Sequence, residues 1–119
     1  MPHLIVEHTA NLGPVVSSAT LRRLNAALLT SGQFDEQAIK SRAVVVDTFA
    51  IGTAEAGRAF LAARLCILSG RTAEQKRQVS EILLEALKQI ALPSDLETQI
   101  TVEVLDMDRA SYGKVLLPV

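Results

Sequence analysis

Cysteine, aromatic residues and histidine are all scarce in this chain, and each scarcity closes a class of function. The 119 residues include one cysteine, no tryptophan, one tyrosine, three phenylalanines and two histidines. A lone cysteine excludes an intrachain disulfide framework, and Cys66, set in an apolar run, reads as a buried structural thiol rather than a nucleophile. Two histidines and one cysteine do not make up a metal site. His3 and His8 fall at odd and even positions of one extended segment, which sends them to opposite faces, so they are not expected to form a joint ligand pair. With 3% aromatics there is no platform on which bases could stack. Twelve basic residues against thirteen acidic ones leave a net charge of −1 with no basic run, which excludes a nucleic-acid or anionic-membrane surface. No stretch is long enough to span a bilayer, and the start lacks the basic and apolar regions of a secretory signal, so a cytoplasmic protein is expected.

What is present is aliphatic. Hydrophobic residues make up 49% of the chain, so the core must be built of Leu, Val, Ile and Ala. The length fits one domain over 1–119, in a size range where oligomerisation often completes the core. Within it the elements repeat. Residues 3–8 read as a strand, and a helix runs from a cap at Ser17 or Ser18 through Leu21, Leu24, Leu28 and Leu29 to a stop at Ser31-Gly32. The run Ala43–Ile51 is nearly continuous in apolar residues, the pattern of a strand covered on both faces. Gly52 to Gly57 reads as a loop. Phe60–Leu68 is a further apolar strand, after which Thr72 and Gln75 form a capping box. Val79, Ile82, Leu83, Ala86, Leu87 and Ile90 mark a helix with one apolar face. Thr98–Leu105 alternates, with Ile100, Val102 and Val104 opposite Thr101 and Glu103.

This order is two β-α-β units in tandem, pseudo-repeats over 2–52 and 58–106, followed by a tail over 107–119. Each helix is long enough to be a right-handed crossover between parallel strands. The predicted fold class is α+β: a four-stranded mixed sheet with two helices on one face. Two helices cover one face only, and the strands are apolar almost throughout, so the open face predicts an oligomer. The apolar end of the tail, Val115 to Val119, is expected to dock on a neighbouring subunit.

Three features carry possible chemistry. Pro2 follows the initiator methionine, and removal of Met1 would leave a free secondary amine, able to act as a base where an internal proline cannot. Arg71 stands just before the N-terminus of the second helix, where positive potential suits a carboxylate. Lys40 and Arg42 share a face at the start of the second strand if it runs that far. An amine against apolar strands and near cations has its charged form disfavoured, which lowers its pKa towards a useful range for a general base. The plain readings remain open: Arg71, Lys40 and Arg42 as solvated charges, Arg64 paired with an acid across a subunit interface, Phe49 and Phe60 as core, and Glu74 and Gln75 as helix-start residues.

The start MPHLIVEHT, the segment SGRTAEQKRQVSEILLEALKQ and the tandem order together resemble the tautomerase superfamily. Within it, IKSRAVVVDTF and the spacing of elements are similar to the 5-carboxymethyl-2-hydroxymuconate isomerases over nearly the whole chain. The resemblance implies a tautomerase-like, trimer-forming fold, no metal or organic cofactor, and a small-molecule carboxylate as substrate. It implies that Pro2 moves a proton in an unsaturated 2-hydroxy (enol) dicarboxylate or tricarboxylate, in catabolism of aromatic compounds. Arg71 would bind a substrate carboxylate and Arg42 would orient the 2-oxo or 2-hydroxy end. Lys40 stands where the related enzymes carry arginine, which keeps the charge but loses the two-pronged grip. Two other readings stand beside this one: a superfamily enzyme with a different 2-hydroxy acid or a halogenated substrate, and a non-catalytic trimeric binding protein.

Overall fold

Both helices begin where a side chain satisfies their free N–H groups. In the computed structural model, which describes residues 1–119, helix α1 (Ser18–Leu29) starts behind Ser17, whose hydroxyl accepts from the Thr20 amide while Thr20 returns a bond to the Ser17 amide. Helix α2 (Ala73–Leu87) starts behind Thr72 with the same reciprocal pairing to Gln75. Helix α2 stops three residues short of the predicted Ile90. There the backbone tightens into three-residue turns, with the Ile90 amide donating to the Leu87 carbonyl, and Ile90 still packs on the core.

The strands are β1 (His3–Thr9), β2 (Lys40–Val46), β3 (Arg58–Leu68) and β4 (Glu97–Met107). They form one four-stranded sheet in the order β2-β1-β3-β4, with β1 parallel to β2, β3 parallel to β4, and β1 antiparallel to β3. The mixed α+β sheet expected from the sequence is the one observed. Register divides it cleanly. Leu4 and Val6, then Leu61, Ala63 and Leu65, then Ile100, Val102 and Val104 share the face that meets Leu24, Leu28, Val79, Leu83 and Leu87 of the helices. Most of these side chains are fully buried, an aliphatic core of the expected kind.

The structure corrects four expectations. The run Ala43–Ile51 is not a strand covered on both faces. The strand starts at Lys40 and ends at Val46, and it lies at the sheet edge, where Val44 and Val45 are 41% and 54% exposed. An apolar run gives no sign of which strand will be an edge. The open face is also less apolar than expected. Ile5, Val44 and Ala62 alternate there with Glu7, Arg42, Arg64 and Glu103. Finally, Arg64 finds its acid within the chain: it stands opposite Glu103 in the β3–β4 register, and its Nε donates to Oε1 at 3.4 Å. Cys66 is half-buried on this same face rather than fully enclosed.

Candidate active site

The N-terminus is tied to the start of β2. Pro2 is buried, and its carbonyl accepts from the Lys40 amide at 3.0 Å. Register then sets Lys40 beside His3 and Arg42 beside Ile5, so both cations do share the open face, as the alternation predicted. The strand begins early enough for this because Ala38 and Ile39, both buried, anchor the chain just ahead of Lys40.

Arg71 approaches from the opposite side. The turn that leaves β3 passes through Gly70 at φ 119°, a conformation that side chains with a Cβ rarely adopt. Beyond it, the Arg71 guanidinium is held by neutral oxygens. Nε donates to Gln33 Oε1 at 3.0 Å, Nη2 to the Gln33 carbonyl at 2.8 Å and Nη1 to the Leu68 carbonyl at 3.4 Å. The group also stacks on Phe34, 4.8 Å from the ring centre. Between the N-terminus and this turn lies an open cavity of about 160 Å³, walled in part by Met1, Phe34, Asp35, Arg71 and Arg109. The fold thus brings the chain start and Arg71 to one cavity, with Lys40 close enough to act on the amine. Arg42 is not part of the wall; it lies further along the open face, beside Ile5.

The charges here leave a strong imprint. The Met1 amine is held below its ordinary pKa, first by burial and then by Lys40, Lys114 and Arg71, with Asp35 pulling the other way. Burial followed by Lys40, the amine, Arg42 and Lys114 lowers His3, whose Nε2 lies 2.9 Å from the Tyr112 hydroxyl. Lys40 is lowered by burial and by Lys114, and Arg71 by burial and by Arg109. None of the chain's four ion pairs includes Lys40, Arg42, Arg71, Arg109 or Lys114. A chain of net charge −1 therefore keeps an uncompensated cationic patch around its first residue. A larger cavity of about 260 Å³ between the helices has Arg23 as its only charged wall and offers no acid–base pair.

Sequence reasoning missed Gln33, Phe34, Arg109 and Lys114. Gln33 and Phe34 follow the Ser31-Gly32 helix stop and read only as loop. Arg109 and Lys114 sit in the tail assigned to subunit contact, and nothing local shows that the tail returns to the Ser69 turn. No group of three His, Cys, Asp or Glu side chains gathers in the chain.

A family model for 5-carboxymethyl-2-hydroxymuconate isomerase matches residues 2–114, from the buried proline through the lysine that acts on the amine. The chain belongs to this family. It is 33% identical over 89 residues to 5-carboxymethyl-2-hydroxymuconate Delta-isomerase of Escherichia coli, covering 74% of this chain and 71% of that protein. Its structure is similar to a 5-carboxymethyl-2-hydroxymuconate isomerase from Deinococcus radiodurans R1, with a TM-score of 0.81, 26% identity, and coverage of 96% of this chain and 88% of that one. It also shares its fold with a fused 4-OT solved as a symmetric trimer, with a TM-score of 0.72 at 20% identity over 94% of this chain and 90% of that one. Membership of this isomerase family and the tautomerase fold accords with the resemblance carried by MPHLIVEHT and SGRTAEQ.

Proposed function

We propose that this chain is a cofactor-independent isomerase that shifts a double bond in an unsaturated 2-hydroxy dicarboxylate or tricarboxylate, acting as a homotrimer with Pro2 as its base. Trimming of Met1 frees the Pro2 nitrogen as a secondary amine, in the surroundings that already depress the terminal amine. The neutral amine takes the proton of the 2-hydroxyl group. The oxygen becomes the 2-oxo group as the electrons move along the conjugated chain, and the same amine returns the proton to the distal carbon. No electron is gained or lost overall. Arg71 holds one carboxylate. Lys40 and Arg42 hold the other end and stabilise the dienolate between the two transfers.

The observation that carries this reading is the depressed amine at the wall of the cavity that holds Arg71. Its test follows ultraviolet absorbance during isomerisation of 5-carboxymethyl-2-hydroxymuconate, with protein whose mass shows Met1 removed. Rapid turnover should fall by about 10²–10⁴-fold in Pro2→Ala and in protein that retains Met1. A second reading, a different 2-hydroxy acid as substrate, is favoured by Lys40, a single-point charge whose Nζ donates to the Ala38 carbonyl. Turnover of simpler 2-hydroxydienoates or phenylenolpyruvate without turnover of the muconate would select it. Inactivity of trimmed protein on every enol would overturn both and leave a non-catalytic assembly.

A further inference from the structure

The tail places a second guanidinium at the cavity, and the proposed reaction has so far given it no work. Arg109 leaves the end of β4, where the Met107 carbonyl accepts from the Ser69 amide, and crosses back over the turn that carries Arg71. Its Nε donates to the Ser69 carbonyl at 2.5 Å, while Arg71 Nη1 reaches the Leu68 carbonyl. The two heads are thus anchored on carbonyls one residue apart. Gly70 between them supplies the positive φ of 119° that the turn takes, and its Cα faces Arg109, since a Cβ built there would touch Nε at 3.6 Å and Nη2 at 3.7 Å in ordinary contact. Both arginines wall the same cavity.

They differ in what they have left to give. Arg71 has an acceptor on each of its three nitrogens, at Gln33 and Leu68, and keeps one free N–H on each terminal nitrogen for a carboxylate. Arg109 spends only Nε, so both of its terminal nitrogens are without an acceptor in the chain. A planar pair of free N–H donors fits a carboxylate through two parallel bonds. Asp35, the acid in the cavity wall, makes an ion pair with neither arginine. Two adjacent guanidiniums on one cavity wall, with Arg71 held below its ordinary pKa first by burial and then by the charge of Arg109, describe a site that waits for an anion.

We propose that Arg109 is a substrate-binding residue that receives a third carboxylate beside the one held by Arg71, making the site selective for tricarboxylates over dicarboxylates. The proposal rests on the isomerase reading, with Lys40 and Arg42 at the far end of the substrate. It gives the segment after β4 a part in specificity within its own chain.

The test uses saturated probes that cannot turn over: tricarballylate with three carboxylates and glutarate with two. By titration calorimetry at fixed salt, the wild-type protein should bind tricarballylate about tenfold to a hundredfold more tightly than glutarate. Arg109→Met keeps the aliphatic stem and should erase that preference while leaving glutarate affinity unchanged. Arg109→Lys should restore part of it. In turnover of a tricarboxylate, Arg109→Met should raise KM by a similar factor with kcat within about threefold of wild type, the signature of lost ground-state binding. Absence of tricarboxylate preference in the wild-type protein would overturn the proposal without any variant. So would equal loss of both probes in Arg109→Met, which would mark Arg109 as a strut for the turn. Since the probes do not react, an inactive protein that keeps the preference would refute the isomerase reading alone. An active one that lacks it would refute only the role of Arg109.

Discussion

The amine at the chain start is shaped by its neighbours' charges more specifically than by any shared feature of the fold. Burial disfavours its protonated form, and Lys40 is the foremost of the cations that add to this. A nearby positive charge raises the energy of the ammonium and lowers the pKa, so removing that charge raises it. In the proposed reaction the base is the Pro2 amine, freed into these same surroundings when Met1 is trimmed. It must be neutral to accept a proton, so the acid limb of kcat/KM would report it in the free enzyme. Lys40→Met should therefore move that limb to higher pH, and Lys40→Arg should leave it in place. The pH profile of the two variants, measured on trimmed protein, checks this. A limb unmoved in Lys40→Met would separate Lys40 from the base. At this scale a residue's position was legible where its signal is local: Pro2 at the chain start and Arg71 at a helix start, with Lys40 reached only through the alternation that carries β2 back past its apolar run. Gln33, Phe34 and Arg109 were not, because each meets Arg71 or its turn across about 40 residues of chain.

Elements were legible in proportion to how much of their boundary is written in the adjacent residues. The capping box at Thr72 marked the start of α2, and a cap at Ser17 or Ser18 marked that of α1, where the structure selects Ser17; the hydrogen bonds involved span three residues. The edges of β2 were misread because Lys40 and Arg42 are polar and because Phe49, Ala50 and Ile51 extend the apolar pattern past the last ladder pair at Val46. Ladder pairing, not hydropathy, ends that strand. The α2 cap also bears on function, because Arg71 immediately precedes it. Thr72→Ala removes the oxygen that accepts from the Gln75 amide. It should cost about 1 kcal/mol in urea unfolding at fixed protein concentration. With the turn loosened, KM for the carboxylate substrate should rise while the acid limb of the pH profile stays put, since Thr72 carries no charge. Stability equal to wild type would mean that packing alone holds the helix start.

As a whole, the chain is more open than a self-sufficient monomer of its size. Its accessible surface is 7380 Å², against about 6,300 Å² expected for a folded monomer of 12.8 kDa. Its radius of gyration is 15.4 Å, against about 13.5 Å for a compact domain of 119 residues. The excess surface is of the order that one partner contributes to a standard interface. It is located in part: the edge strand exposes Val44 and Val45, and the tail exposes Val115, Leu116 and Leu117 at 78%, 67% and 80%. The mixed open face, with Arg64 already neutralised by Glu103, supplies less of the drive for assembly than an apolar sheet would. More of it then falls to the tail. Burying three such side chains contributes about 2 kcal/mol each, and ordering five residues of backbone costs about 1 kcal/mol per residue. The remainder, about 1 kcal/mol, is worth roughly fivefold in association for each tail. Sedimentation at micromolar concentration should find a trimer for the full chain. Removal of residues 115–119, which leaves Arg109, Tyr112 and Lys114 in place, should shift the midpoint of assembly to higher concentration. Activity per assembled site should persist, because the cavity keeps every wall that the chain itself supplies. A stable monomer from the full chain would refute the assembly, and an unchanged midpoint after truncation would return the driving force to the sheet.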